Sequence, residues 1–125
     1  MTRLSLAFFS AAVLCVLGGM SWGAYMGSTE NFTLMPAHAH LNLVGWASLG
    51  LMGTFYQLSG KTSRLGWINF FISVAAVVVM IPSLALYLGG SKSAAGPLAI
   101  GSVLAIVGML TFAASVLSEW KTATR

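Results

Sequence analysis

Apolar positions in this chain come in unbroken runs rather than in a two- or four-residue rhythm. Four stretches, at about 5–26, 37–58, 65–88 and 94–117, each supply the about 20 mainly apolar residues a membrane-crossing helix needs, with no charge in their interiors. Short polar connectors separate them: GSTENFTLMP, SGKTSR and GGSKSAAGP. Pro36 and Pro97 fall near helix starts, where a missing N–H costs nothing. Pro82 falls late in the third run, where it removes one backbone hydrogen bond and predicts a kink. Strands of a membrane barrel would alternate apolar and polar residues, whereas SVAAVVVMI and LAIGSVLAIVGML are apolar on both faces. The first run has Arg3 ahead of it and small residues at Gly23 and Ala24, but it is long for the hydrophobic region of a cleaved leader and is read as a true span. The expected fold class is therefore an all-α membrane protein, one domain over 1–125 with four transmembrane helices.

Composition strengthens this picture. Charged residues make up 6% of the chain and hydrophobic ones 58%, against about 25% charged in a soluble domain. The lipid bilayer is thus the expected main partner. Six basic residues and two acidic ones are too few and too scattered to grip nucleic acid. They serve better as topology markers: Arg3, Lys61, Arg64, Lys121 and Arg125 fall on one side of the four-span scheme, Lys92 and Glu30 on the other. The positive-inside rule then puts both termini in the cytoplasm and residues 36–40 near the outer face. Trp22, Tyr25, Tyr56, Trp67, Tyr87 and Trp120 lie near span ends as an interfacial belt would, while Trp46 is deeper and is expected to face protein or a bound ligand. Cys15 has no partner for a disulfide and reads as a small packed hydrophobe. The NFT at Asn31 matches a glycosylation pattern and nothing more.

The candidate chemistry sits at the mouth of the second run, in PAHAHLNLVGW. His38 and His40 are the only histidines. On an α-helix, residues two apart are turned by about 200°, so the two imidazoles diverge and cannot hold one small ion, as a four-residue spacing would. A zinc site would need further ligands, and only Glu30 is near in sequence. Diverging imidazoles suit two separate sites instead, and imidazole in an apolar helical setting is a good axial ligand for haem iron. Asn42 follows His38 by one turn and could bond a propionate, water or backbone group. Gly45, Ala47, Ser48, Gly50 and Gly53 would let helices or a flat macrocycle approach the backbone. Met35 and Met52 are candidate soft ligands, although methionines in such a chain mostly pack. LGGM at 17–20 reads as ordinary helix packing. The plain alternative for the histidines is an interfacial, solvated role.

HAHLNLVGWASLGLMGTFYQL, from His38 to Leu58, resembles the histidine-bearing helix of subunit I of the haem–copper oxidase superfamily, and more closely small four-span bacterial proteins related to it. The resemblance implies one four-helix quasi-repeat unit of the oxidase fold, in which twelve spans form three arcs of four. It implies a bacterial cytoplasmic membrane and a His-x-His pair ligating two different haems. His38 and His40 match that pair, with Asn42, Gly45 and Trp46 as further cofactor-binding candidates. The chain has no other histidine, so one subunit cannot build the family's three-imidazole copper site; haem b is the expected cofactor, and copper ranks below it. A four-span unit is a third of the family's subunit, so three copies are expected to close into a homotrimer. His38 of one subunit and His40 of the next would then clamp each haem b.

The expected function is electron transfer, with no enzyme activity of the oxidase type and with a redox partner the sequence does not identify. The rivals are a gas-binding haem sensor or oxidoreductase, a cofactor-free membrane scaffold or assembly factor, and, below these, a channel, for which no ring of selective charges is present.

Overall fold

The computed structural model describes residues 1–123, which form helices joined by short turns, with no strand. Arg125, one of the topology charges above, lies outside the described residues. Helix α1 spans Arg3–Thr29. It starts at Thr2, whose Oγ1 accepts the Ser5 N–H at 3.1 Å, and stops at Glu30, which takes the left-handed conformation. The second apolar run is not one regular α-helix. It is built from α2 (Met35–His40), a π-helical segment (Leu41–Ser48) and α3 (Leu49–Ser59). Pro36 occupies the first turn of α2, and Gly60 closes α3 at φ 65°, a value that favours glycine. Helix α4 spans Arg64–Leu88 and is capped by Ser63, whose Oγ accepts the Gly66 N–H at 3.0 Å. It continues through Pro82. A short 3₁₀ turn, Lys92–Ala94, leads into α5, Ala95–Ala123.

Three helical stretches, Arg3–Thr29, Arg64–Leu88 and Lys92–Ala123, are long and apolar enough to cross a membrane. The run at 35–59 is excluded from that set because the π segment divides it into pieces shorter than a span. Helix α1, the run at 35–59, α4 and α5 follow one another antiparallel. Leu4 at the start of α1 lies over Gly66 at the start of α4, and Ser5 Oγ donates to the Gly53 carbonyl of α3 at 3.0 Å. Arg3, Lys61, Arg64 and Lys121 consequently share one end, where Lys61 Nζ meets Glu119 Oε2 at 3.0 Å. Glu30 and Lys92 lie at the other end, Lys92 over the Tyr87 ring.

Association in lipid gains little from hydrophobicity and depends on close packing and interhelical hydrogen bonds. Both are present. Leu4, Phe8, Ala12, Leu49, Met52 and Tyr56 form the larger core where α1 meets α3, with Phe8 stacked on Tyr56 at 5.3 Å between centroids. Helices α4 and α5 touch at Gly101, where an added Cβ would sit 2.7 Å from the Met80 backbone; only glycine permits that approach. Further along the same pair, fully buried Asn69 donates to the Gly108 carbonyl at 2.7 Å and to Thr111 Oγ1 at 3.0 Å. Tyr56 O–H joins this network through Asn69 Oδ1 at 3.2 Å and Ser115 Oγ at 2.9 Å. Tyr56 is therefore a buried core residue and not a member of the interfacial belt; Tyr25 and Trp120, by contrast, are each 66% exposed. The outward faces of α1 and α5 carry Leu14, Leu17, Met20, Ile106 and Leu110, as contact with acyl chains requires.

Candidate functional site

The local distortion of the second run begins at the histidine pair. Leu41 N–H is shared between the Ala37 and His38 carbonyls, and Asn42 Nδ2 also donates to the His38 carbonyl, at 3.2 Å. A side chain that takes a carbonyl of the i→i−4 ladder is a recognised cause of helix distortion. From Leu41 to Ser48 the bonding is i→i+5, and Ser48 Oγ follows the same step back to the Leu43 carbonyl at 2.9 Å. π segments within α-helices concentrate at functional sites.

His38 is half-buried and faces α1. The gap it occupies is made by Gly23, where an added Cβ would lie 2.9 Å from the imidazole Cε1. Asn42 Nδ2 is 3.4 Å from both ring nitrogens. An amide bonded in line to one nitrogen would lie farther from the other, so the equal distances place it across the ring face. Neither ring nitrogen is thereby held by an in-plane donor. Asn42 in turn fits over Gly19, where a Cβ would come within 2.8 Å of its Cγ. One turn further, Gly45 is buried against Cys15, whose Sγ would be 2.8 Å from a Cβ there. Cys15, Gly19 and Gly23, spaced by four on α1, thus face Gly45, Asn42 and His38 in order.

His40 is exposed on the other side of α2. Its Nδ1 lies 2.7 Å from the Pro36 carbonyl oxygen. A carbonyl can only accept, so Nδ1 carries the proton and Nε2 of the neutral ring presents a lone pair outward. The exposed face continues through Leu43 and Trp46, the latter 40% exposed. Trp46 lies in the π segment and is partly covered and partly open within this chain. Met35 is exposed near the same mouth, whereas Met52 is buried in the core and its sulfur accepts from Ser73 at 3.8 Å.

The structure therefore brings His38 and Asn42 together, leaves His40 and Trp46 on the open face, and gives Gly45 to helix packing. Among the described residues no three of the His, Cys, Asp and Glu side chains come together as a metal-binding group. Each imidazole offers a nitrogen, and the two point apart, so the pair does not converge on one ion within the chain. Gly19, read above as ordinary helix packing, and Gly23, noted above only as a small residue, are the contributors whose link to His38 and Asn42 the sequence reading did not draw. Their four-residue spacing, repeated from Cys15, was the available signal.

Gly23→Ala should displace the His38 ring, since the ring tip is the part of the contact free to move. Gly27→Ala meets nothing within 4 Å and serves as control. Long-range ¹H–¹⁵N spectra of the histidine rings check this: His38 resonances shift in the first variant alone, and those of His40 hold in both. Comparison with known protein families, curated proteins and solved structures finds no match for this chain.

Proposed function

We propose that this protein is an integral membrane haem b protein that transfers electrons, built as a four-span unit that closes into a homotrimer. The run at 35–59 is its second span, and both termini face the cytoplasm. His40 of one subunit and His38 of its neighbour hold each haem from opposite sides. The observation that carries the reading is the divergence of the pair: His38 faces α1 while His40 presents Nε2 on the open face. Each subunit thus offers two half-sites that no single ion joins. The residues closed off within the chain and those left open match that division, since the exposed His40, Leu43 and Trp46 face is apolar except for the imidazole.

Bound haem supplies one-electron chemistry. The chain's own residues orient and shield. The Pro36 carbonyl fixes the His40 tautomer and ring direction, as a hydrogen-bonded outer partner does for a ligating imidazole. Asn42 holds the His38 ring against Gly23 and keeps it from rotating freely. Held by an imidazole from each of two subunits, haem would carry electrons rather than bind a gas.

Optical spectra of the purified protein, oxidised and dithionite-reduced, test the reading. The expected result is a low-spin b-type spectrum unaltered by carbon monoxide. A carbon monoxide-shifted band would instead indicate a haem with an open position, and a protein without any Soret band would remove the proposal.

A further inference from the structure

The basic end of the bundle, remote from the histidines, holds a polar cavity of about 180 Å³. Its floor is the buried Tyr56–Ser115 hydroxyl pair, and Ser59, Ser63 and Ser118 supply further hydroxyls around it. Lys61 and Glu119 stand at its wall, with their side chains 52% and 29% exposed. Lys61 gives one of its three N–H donors to Glu119 and keeps two for another acceptor. Arg64 and Lys121 flank the same end, so its balance is positive despite Glu119. Beside the cavity, and sharing Phe55, Glu119 and Thr122 with it, runs an open apolar groove of about 410 Å³ along α5, lined also by Val116 and Trp120.

A hydroxyl-rich, cation-bearing cavity continuous with an apolar groove has the polarity of a lipid, head and tail. The geometry points to a specific site for an anionic phospholipid with a hydroxylated headgroup of the phosphatidylglycerol type. Lys61 meets the phosphate diester, the oxygens of Ser59 and Ser118, whose protons go to the Tyr56 and Ser115 carbonyls, accept from the glycerol hydroxyls, Ser63, whose oxygen caps Gly66, donates to them, and the groove over Val116 and Trp120 takes an acyl chain. A free sugar or phosphate would use the cavity and leave the groove unexplained. This site is independent of the haem reading, since it involves neither histidine.

Native mass spectrometry of the detergent-purified protein tests it, with dioleoyl phosphatidylglycerol, dioleoyl phosphatidylcholine and soluble glycerol 1-phosphate as probes. Phosphatidylglycerol should be retained about fivefold better than phosphatidylcholine, the preference that one lysine confers on an anionic lipid. Lys61→Gln should abolish the preference and Lys61→Arg should keep it. Lys121→Gln, which removes an equal charge outside the cavity, should leave it intact. The inference is overturned if the two phospholipids are retained alike, or if Lys61→Gln and Lys121→Gln lose the preference equally. It is also overturned if glycerol 1-phosphate binds as well as the lipid.

Discussion

Co-expression of His38→Ala and His40→Ala chains in equal amounts should restore about a quarter of the haem sites that each variant alone lacks, because in the proposed trimer a site is whole only where a subunit with His38 adjoins one with His40. Each homogeneous variant should lose the low-spin spectrum completely. The basis is the separation of the two rings: Asn42 and Gly23 hold one against α1, and the Pro36 carbonyl turns the other outward. Haem content per subunit, read from the Soret band of the separated mixed oligomer, decides between geometries. If both histidines of one chain served one haem, mixing would restore nothing. If each histidine held its own haem, either variant alone would keep half. Only ligation across subunits yields complementation.

The second large effect falls on the fold. Asn69→Ala should lower stability by about 2 kcal/mol, taking three interhelical hydrogen bonds at about 0.6 kcal/mol each. Those bonds run to the Gly108 carbonyl and Thr111 on α5 and to Tyr56 on α3, so one amide ties three elements at a single level of the bundle. The partners are not orphaned by the change: Tyr56 keeps Ser115, and Thr111 still donates to the Gly108 carbonyl. The loss is therefore that of the bonds and the small void, not of buried unsatisfied groups. Ser102→Ala removes only a hydrogen bond within one helix, to the Leu98 carbonyl, and should be neutral within about 0.5 kcal/mol. Reversible unfolding in mixed micelles compares the two.

The long apolar runs were legible because in lipid each backbone group must bond within its own segment, which leaves helix as the only solution for an isolated apolar stretch. The runs read at 5–26, 65–88 and 94–117 lie within Arg3–Thr29, Arg64–Leu88 and the stretch Lys92–Ala123. The helix-starting role of Pro36, the turn at Gly60 and the gathering of Arg3, Lys61, Arg64 and Lys121 at one end follow from the same local rules. The divergence of His38 and His40 was also readable, since both still lie in regular α-helix before the distortion begins.

Beyond Leu41 local rules lose their hold. The Leu41 N–H is shared between the Ala37 and His38 carbonyls, and the Asn42 side chain that donates to the second of them is seated by Gly19 on another helix. Periodicity counted at 3.6 residues per turn could not place Trp46, and proximity to a span end could not show that the Tyr56 hydroxyl lies between Asn69 and Ser115. The sequence by itself determined that this chain is a set of apolar helices bearing one diverging pair of imidazoles. Which helix each ring faces, which glycine makes room for it and which hydroxyls gather at the basic end were decided by tertiary packing, because those outcomes depend on contacts between residues distant along the chain.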